Sequence, residues 1–336
     1  MRPDLAPSFA AVGASRFYRQ WPLPGGQYLS AIHRQDTDQL GNPFVNLLAF
    51  DIGGTHIKYG FVNDAGKVGE TWVADTEGKR GADFVLARLV ELAGPLVEQY
   101  RPDGIAVSTL GLIDPLTGFV TAAAEAIPGY VGTSPLQVLD DAFSLPVTVE
   151  NDVNCVALAE GWRGSAQGVG NYIALTVGTG IGGGIVIDHR LYRGHRAAAG
   201  EWGYMRIADK LWEDHASMRG LICAAKAATG QTLDGHAIFA GYDGGDPVLT
   251  AVVQEWLTLL ATGIANLIYA INPQRVVIGG GITSRGARFH EEIDSRITEC
   301  LLPDFRGMSE IALASAGNHA GMIGAARNWF TAKRLF

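Results

Sequence analysis

Three short stretches place residue types suited to phosphate and proton chemistry at sharp corners of the chain. The first, FDIGGTHIKYGFVNDAGK from Phe50 to Lys67, runs an apolar strand into Asp51, Gly53, Gly54 and Thr55. Aromatic and β-branched residues from His56 to Val62 then lead to an Asn63-Asp64-Ala65-Gly66 turn, so the stretch reads as a hairpin, not as the strand-to-helix turn of a dinucleotide or Walker motif. The second, Gly178-Thr179-Gly180 within LTVGTGIGGGIV, repeats the arrangement of strand, small-residue corner and apolar return. Successive N–H groups in such a corner form an anion-binding concavity, and small side chains let phosphate oxygens come close. The third, Asn151-Asp152, stands between a strand pattern and a helical one. A carboxylate there can accept a proton from a hydroxyl or simply cap the helix that starts near Val153. On spacing alone, a phosphate cleft competes with a plainer reading in which the corners are tight β-turns and Asp51 and Asp152 are caps.

The elements that must hold these corners are legible as periodicities. Strands are predicted over Val45–Ile52, Gly104–Thr109, Pro146–Glu150 and Arg275–Ile278, the last entering Gly279-Gly280-Gly281. Helices are predicted over Ala82–Tyr100 with a kink or break at Pro95, over Ser134–Phe143 with Ser134 as cap and Pro135 in the first turn, and over Val153–Trp162, Pro247–Ile271 and Ala320–Thr331. A second hairpin joins Asn171–Val177 to Gly184–Ile187. Its likeness to the first points to two related halves facing each other rather than one dinucleotide-binding unit.

Bulk properties narrow the class. The chain has 336 residues, 47 % of them hydrophobic, enough for a large core or two domains. Its formal charge of −8 is dispersed and includes no basic stripe, which argues against nucleic-acid or anionic-membrane partners. The apolar stretch Trp256 to Ile271 is interrupted by Thr258, Thr262, Gly263 and Asn266 and reads as a buried helix, not a membrane span. No secretory leader pattern opens the sequence. Cys155, Cys223 and Cys300 lack paired spacing and read as reduced core residues of a cytoplasmic protein.

The strings FDIGGTHIKYG, VENDVNCVALAEG, LTVGTGIGGGIV, AGEWGY, WEDHAS, VVIGGG and GNHAGMIGAA follow one another in the order seen in the ROK family of sugar kinases and sugar-sensing repressors, and the resemblance covers Leu47 to Trp329. It implies an α/β, actin-like ATPase fold: an irregular arm over 1–45, a small α/β domain over 46–150 with the C-terminal helix 320–336 packing back on it, and a large α/β domain over 151–319, with a cleft between the two domains. It implies ATP and Mg²⁺ as cofactors, a small-molecule sugar as partner and a homodimer. Carried onto this chain, Asp51, Gly53, Gly54, Thr55 and Lys58 form one phosphate loop, Gly178, Thr179 and Gly180 the other, and Gly279, Gly280 and Gly281 the adenosine-side turn. Asp51 orients Mg²⁺ through water. Asp152 is the catalytic base, and Gly111, Asn151, Asp152, Glu201, Tyr204 and Glu213 face the sugar.

Two departures from the family pattern matter. Tyr204 stands where most members have a histidine, and Met205 to Asp214 (MRIADKLWED) replaces the cysteine-rich zinc loop without a thiol, with Leu211 where its last cysteine falls. No tetrahedral zinc site can be assembled there, so the loop is expected to be fixed by burial of Trp202, Tyr204, Met205, Leu211 and Trp212, with His215 as a helix-face residue. The same pattern resembles the family's zinc-free β-glucoside kinases, which act on the 6-hydroxyl of a glucose unit. Glucokinase or N-acetylmannosamine kinase activity, or a sugar-sensing transcriptional regulator, are the alternatives. Against the last stand a Pro- and Gly-broken opening segment without a basic recognition helix and the presence of Asp152.

Overall fold

The computed structural model describes residues 45–123 and 126–333; the arm predicted over residues 1–45 falls almost wholly outside them, as do residues 334–336 of the last segment. The first half runs β1 (Asn46–Ile52), β2 (His56–Asn63), β3 (Val68–Asp75), α1 (Ala82–Tyr100), β4 (Gly104–Thr109), the short pair β5 (Leu112–Ile113) and β6 (Val120–Ala122), α2 (Pro135–Phe143) and β7 (Val147–Asn151). Then come α3 (Asp152–Arg163), β8 (Tyr172–Val177), β9 (Ile181–Ile187), β10 (Arg190–Tyr192), β11 (Arg206–Ile207), β12 (Lys210–Leu211), α4 (Trp212–Ala216), α5 (Met218–Thr229) and α6 (Gly235–Asp243). The chain closes with α7 (Pro247–Ile271), β13 (Arg275–Gly279), α8 (Ala287–Cys300), β14 (Glu310–Leu313) and α9 (Ala320–Lys333).

Two five-stranded sheets result, ordered β3-β2-β1-β4-β7 and β10-β9-β8-β13-β14. Each begins as an antiparallel meander of three strands and continues with two parallel ones, so the echo seen in sequence is an echo of topology. The register follows from burial: β4 is buried along its whole length, as a central parallel strand covered on both faces must be, whereas β3 at the sheet edge alternates.

Four apolar clusters hold these layers, one of them setting Ala157 of α3 against Tyr172, Ala174, Val186 and Val277 of the second sheet. Phe50, Ile52 and Val107 pack with Val85 and Leu89 of α1 on one side of the first sheet. Leu47, Ala49 and Ala106 pack with Cys155 of α3 and with Met322, Ala326 and Trp329 of α9 on the other. The Trp329 indole donates to the Pro146 carbonyl at 3.0 Å, and a Cβ on Gly324 would overlap the Cys155 backbone, so α9 lies unusually close to α3. In the second half α7 is the central core helix, burying Trp256, Leu260, Ile264 and Ile268. It is long and apolar enough to cross a membrane, but half of its most apolar window is buried inside the fold.

Several details differ from the sequence reading. Pro95 neither breaks nor ends α1; it sits on the exposed face, where the carbonyl it deprives of a donor is open to water. Strand β9 begins at Ile181, not Gly184, so Gly182, Gly183 and Gly184 are strand residues whose missing side chains admit neighbours. Gly182 and Gly184 face Val153 and Ala157 of α3, and Gly183 faces the Trp202 ring. Of the cysteines only Cys155 is buried, while Cys223 is exposed and Cys300 partly so.

Candidate active site

Parallel β1, β4 and β7 end at one edge of the first sheet, and their register sets Asp51 beside Ser108, Ser108 beside Glu150, and Thr109 beside Asn151. Ligands of open α/β sheets gather at this carboxyl edge. The Ser108 hydroxyl donates to Asp51 Oδ1 at 2.8 Å. Lys58 stands opposite Asp51 in the β1–β2 register, and its ammonium donates to the Asn318 carbonyl at 3.1 Å. On the remaining side Gly321 of α9 leaves no room for a Cβ against the Asp51 carboxylate. Burial pushes the Asp51 carboxyl above its ordinary value, against the lowering influence of Ser108, Lys58 and His319. The corner at Gly53, Gly54 and Thr55 is braced from the strand behind it: Thr76 Oγ1 donates to the Gly53 carbonyl at 2.7 Å and Thr76 N–H to the Thr55 carbonyl at 2.8 Å. Gly54 and Thr55 stay exposed.

The α3 helix is capped by Asn151, not by Asp152. Asn151 Oδ1 accepts from Val153 N–H at 2.9 Å and Asn154 N–H at 3.0 Å, which places Asp152 at the first helical position. The Asn151 amide nitrogen donates to the Gly111 carbonyl at 2.9 Å and to Asp152 Oδ1 at 3.0 Å. These bonds hold the turn with the same side chain that the sequence reading sets against a sugar hydroxyl. Asp152 Oδ1 also accepts from Val153 N–H at 2.9 Å, so both bonds fall on one oxygen of the carboxylate. Burial above all, then the charge of Asp51 and, less strongly, that of Glu201, push the Asp152 carboxyl up to about 6 against the Val153 N–H. Gly111 has φ 97°, and a Cβ there would come within 2.6 Å of the Ala122 carbonyl, so only glycine fits this corner.

The second sheet supplies the other corners in the same way. Parallel β8 and β13 end together, with Thr176 beside Gly279. Gly178, Thr179 and Gly180 turn from β8 into β9, and Gly178 N–H donates to the Gly180 carbonyl at 3.0 Å. Gly280 has φ 97° and no room for a Cβ against the Val177 carbonyl, which brings the Gly279-Gly280-Gly281 turn against the end of β8.

Glu213, in the first turn of α4, lies beside Gly180: its Oε2 is 2.6 Å from where a Gly180 Cβ would sit, and Arg219 reaches its Oε1 at 3.4 Å. Glu201 is raised by partial desolvation and by the charge of Glu213, and the Tyr204 hydroxyl is raised by the same desolvation and then by Glu201 and Glu213. Glu201, Tyr204 and Glu213 therefore share one neighbourhood, and Asp152 feels Glu201 as well as Asp51.

The segment predicted to be fixed by aromatic burial is only partly so. Trp202 and Trp212 are buried, with the Trp212 indole donating to the Leu259 carbonyl at 3.0 Å, but Tyr204 is 60 % exposed. The β11–β12 hairpin spans the place of the cysteine-rich loop, and His215 lies on α4. Among the described residues no group of three or more His, Cys, Asp or Glu side chains could hold a metal ion. An open cleft of about 720 Å³ extends between the β5–β6 corner next to Gly111 and the loop that leads to Glu201, lined by Leu112, Asp114, Thr121, Ala122, Arg193 and Ala198 among others.

Spacing in the sequence does not reveal Ser108, Gly321 or the pair Glu150 and Arg193, whose Nε donates to Glu150 Oε2 at 2.6 Å. Ser108 was within reach of a register argument, since it sits at the end of the strand that must neighbour β1.

Comparison with known proteins bears on this geometry. The ROK family model matches residues 47–332. A β-glucoside kinase of Listeria monocytogenes is 38 % identical over 292 residues, covering 84 % of this chain and 96 % of that protein. Among solved structures, a ROK hexokinase of Thermus thermophilus superposes with a TM-score of 0.77 at 28 % identity, covering 87 % of this chain and all of that one. A ROK family glucokinase of Streptomyces griseus, in complex with glucose and AMPPNP, superposes with a TM-score of 0.72 at 26 % identity, covering 84 % and 98 % of the two chains.

Proposed function

The chain belongs to the ROK family, with its actin-like fold, and is a carbohydrate kinase; on that premise we propose that Asp152 is the base in transfer of the ATP γ-phosphoryl group to the 6-hydroxyl of a glucose unit in a β-glucoside. The observation that carries the base assignment is the position of Asp152. It heads α3, is held by one carboxylate oxygen, and is pushed up to about 6 where the carboxyl edge of the first sheet meets Glu201. A base poised near 6 is ionised at neutral pH and is basic enough to draw a proton as the acceptor oxygen attacks.

In this reading the sugar O–H proton passes to Asp152 as its oxygen bonds to the γ-phosphorus, and the bond to the bridging oxygen breaks to release ADP. Such a transfer needs alignment and charge neutralisation more than covalent help. The Gly53–Thr55 and Gly178–Gly180 corners provide backbone donors to phosphate oxygens, Gly279–Gly281 faces the nucleoside side, and Lys58 provides a cation beside Asp51. Asp51 offers a single carboxylate with one oxygen already bonded to Ser108. That donor set fits a Mg²⁺ ion bound chiefly by water and phosphate, whose charge would offset that of the transferring group. Glu201, Tyr204 and Glu213 face the sugar.

Two features support a glycoside over a free hexose: the likeness to a β-glucoside kinase, and the open cleft of about 720 Å³ beside Gly111, within the range of pockets that hold more than a single small ring. Ala198 is an exposed residue of its wall. Ala198→Trp is expected to lower kcat/KM for cellobiose by about tenfold or more while changing that for glucose by less than about threefold. An ADP-coupled assay with both sugars measures this; equal losses on the two, or none on cellobiose, would remove the glycoside assignment.

We also infer that the sugar loop holds no structural zinc, its rigidity coming from Trp202 and Trp212. Metal analysis of purified protein is expected to find no stoichiometric zinc, and a chelator is expected to leave the melting temperature unchanged.

A further inference from the structure

Glu150, at the end of β7, is 1 % exposed and yet carries a carboxylate. Its Oε1 accepts from Asn151 N–H at 2.9 Å and from the Asn154 amide at 3.0 Å, and its Oε2 accepts from Arg193 at 2.6 Å. Arg193 follows β10 at the edge of the second sheet, and its other nitrogen donates to Asn328 of α9 at 2.8 Å. The Arg193 carbonyl accepts from Ala199 N–H at 3.1 Å, two residues before Glu201. The guanidinium therefore joins the turn that carries Asp152 to the terminal helix, and it does so from a residue whose own backbone bonds the loop leading to Glu201.

Burying a carboxylate is costly without a charged partner, and removing one partner of such a pair leaves the other charge uncompensated. Glu150 has a specific reason to be kept despite that cost. Its Oε1 holds the backbone of Asn151 and the side chain of Asn154, on either side of Asp152. Asp152 already faces Asp51 on β1 and Glu201 on the sugar loop, with Lys58 and His319 acting on Asp51. A third negative charge two residues away, left unpaired, would add to that field. We infer that Arg193 is a positioning residue of the phosphoryl transfer: by pairing with Glu150 it fixes the Asn151–Asp152 turn, shields Asp152 from the Glu150 charge and ties both to the loop bearing Glu201. This inference rests on the assignment of Asp152 as base, and it makes Glu150 and Arg193 one functional unit.

The test is the pH dependence of kcat/KM for sugar phosphorylation in the full-length protein with Arg193→Met, Glu150→Gln and the double variant. With glucose, which does not extend into the cleft that Arg193 also lines, Arg193→Met is expected to lower kcat by about tenfold or more with a smaller change in KM, and to move the acid limb of the profile up by about one pH unit. Glu150→Gln in the Arg193→Met background is expected to return the limb to its wild-type position, because it removes the charge that Arg193 had balanced. Glu150→Gln alone is expected to move the limb to lower pH, which keeps the idea open to refutation if Arg193→Met is not recovered folded. An unmoved limb in either single variant, or a displacement that persists in the double variant, would overturn it, since a merely structural bridge changes melting temperature without moving a titration. Turnover surviving in Asp152→Asn would instead overturn the base assignment beneath it.

Discussion

Asp152→Asn is expected to lower kcat for sugar phosphorylation by about 10²–10⁴-fold while leaving ATP affinity nearly unchanged and raising the melting temperature. Asparagine preserves the shape, and its side-chain oxygen can still accept from Val153 N–H, so the capped turn at Asn151 survives. What it loses is the ability to take the proton. The stability effect follows from the sign of the shift. The carboxyl is raised from 3.8 to about 6 in the folded protein, so between those values the folded state binds a proton that the unfolded chain releases. Stability from this group is greatest below the unfolded value and is lost as pH rises through about 6, so at pH 7 the ionised carboxylate is a net cost that asparagine removes, on the order of 1–3 kcal/mol. Activity runs the other way. The base works only when ionised, so wild-type kcat/KM is expected to fall about tenfold per pH unit below about 6. A variant that is inactive and more heat-stable identifies a side chain kept for chemistry at the expense of folding. Wild-type turnover in Asp152→Asn, or inactivity accompanied by a lower melting temperature, would sink the assignment.

The sequence revealed the corners and little of what holds them. The hairpin at Gly53 and the helix capped by Ser134 were readable because local chemistry decides them: glycine at an exposed turn, a hydroxyl accepting from the Gln137 N–H. The same local logic failed at Asn151 and Asp152, where two adjacent side chains can both cap and local sequence does not say that Asn151 is the one that does. It failed for Gly182 to Gly184 as well. A string of glycines looks like a loop from composition, yet these residues are strand positions emptied so that a helix on one face and Trp202 on the other can approach. Tyr204 was placed among buried aromatics by residue type, but it is 60 % exposed. Glu150, Arg193 and Asn328 are 43 and 135 positions apart along the chain, measured from Arg193, and no periodicity links them. Contacts of that kind belong to tertiary structure alone.

Asp51→Asn provides the second large effect, and it separates two roles of one carboxylate. The substitution keeps an oxygen to accept from Ser108 and fits under Gly321, so the carboxyl edge of the first sheet retains its packing. Removing the charge weakens the site for the nucleotide-bound cation, and kcat is expected to fall by about 10²–10³-fold, the scale seen when a preorganised electrostatic group is lost. Asp51 is also the second-largest cause, after burial, of the raised Asp152 carboxyl. With that charge gone Asp152 releases its proton more readily, so the acid limb of the residual activity is expected to move below its wild-type position near 6 even as the plateau drops. Burial also raises Asp51 itself, so the neutral variant is not expected to melt lower at pH 7. A plateau lost with the limb in place would mean that Asp51 serves the cation alone and that the two carboxylates are not coupled. A displaced limb with an undiminished plateau would remove Asp51 from the cation site and leave it as a tuner of the base.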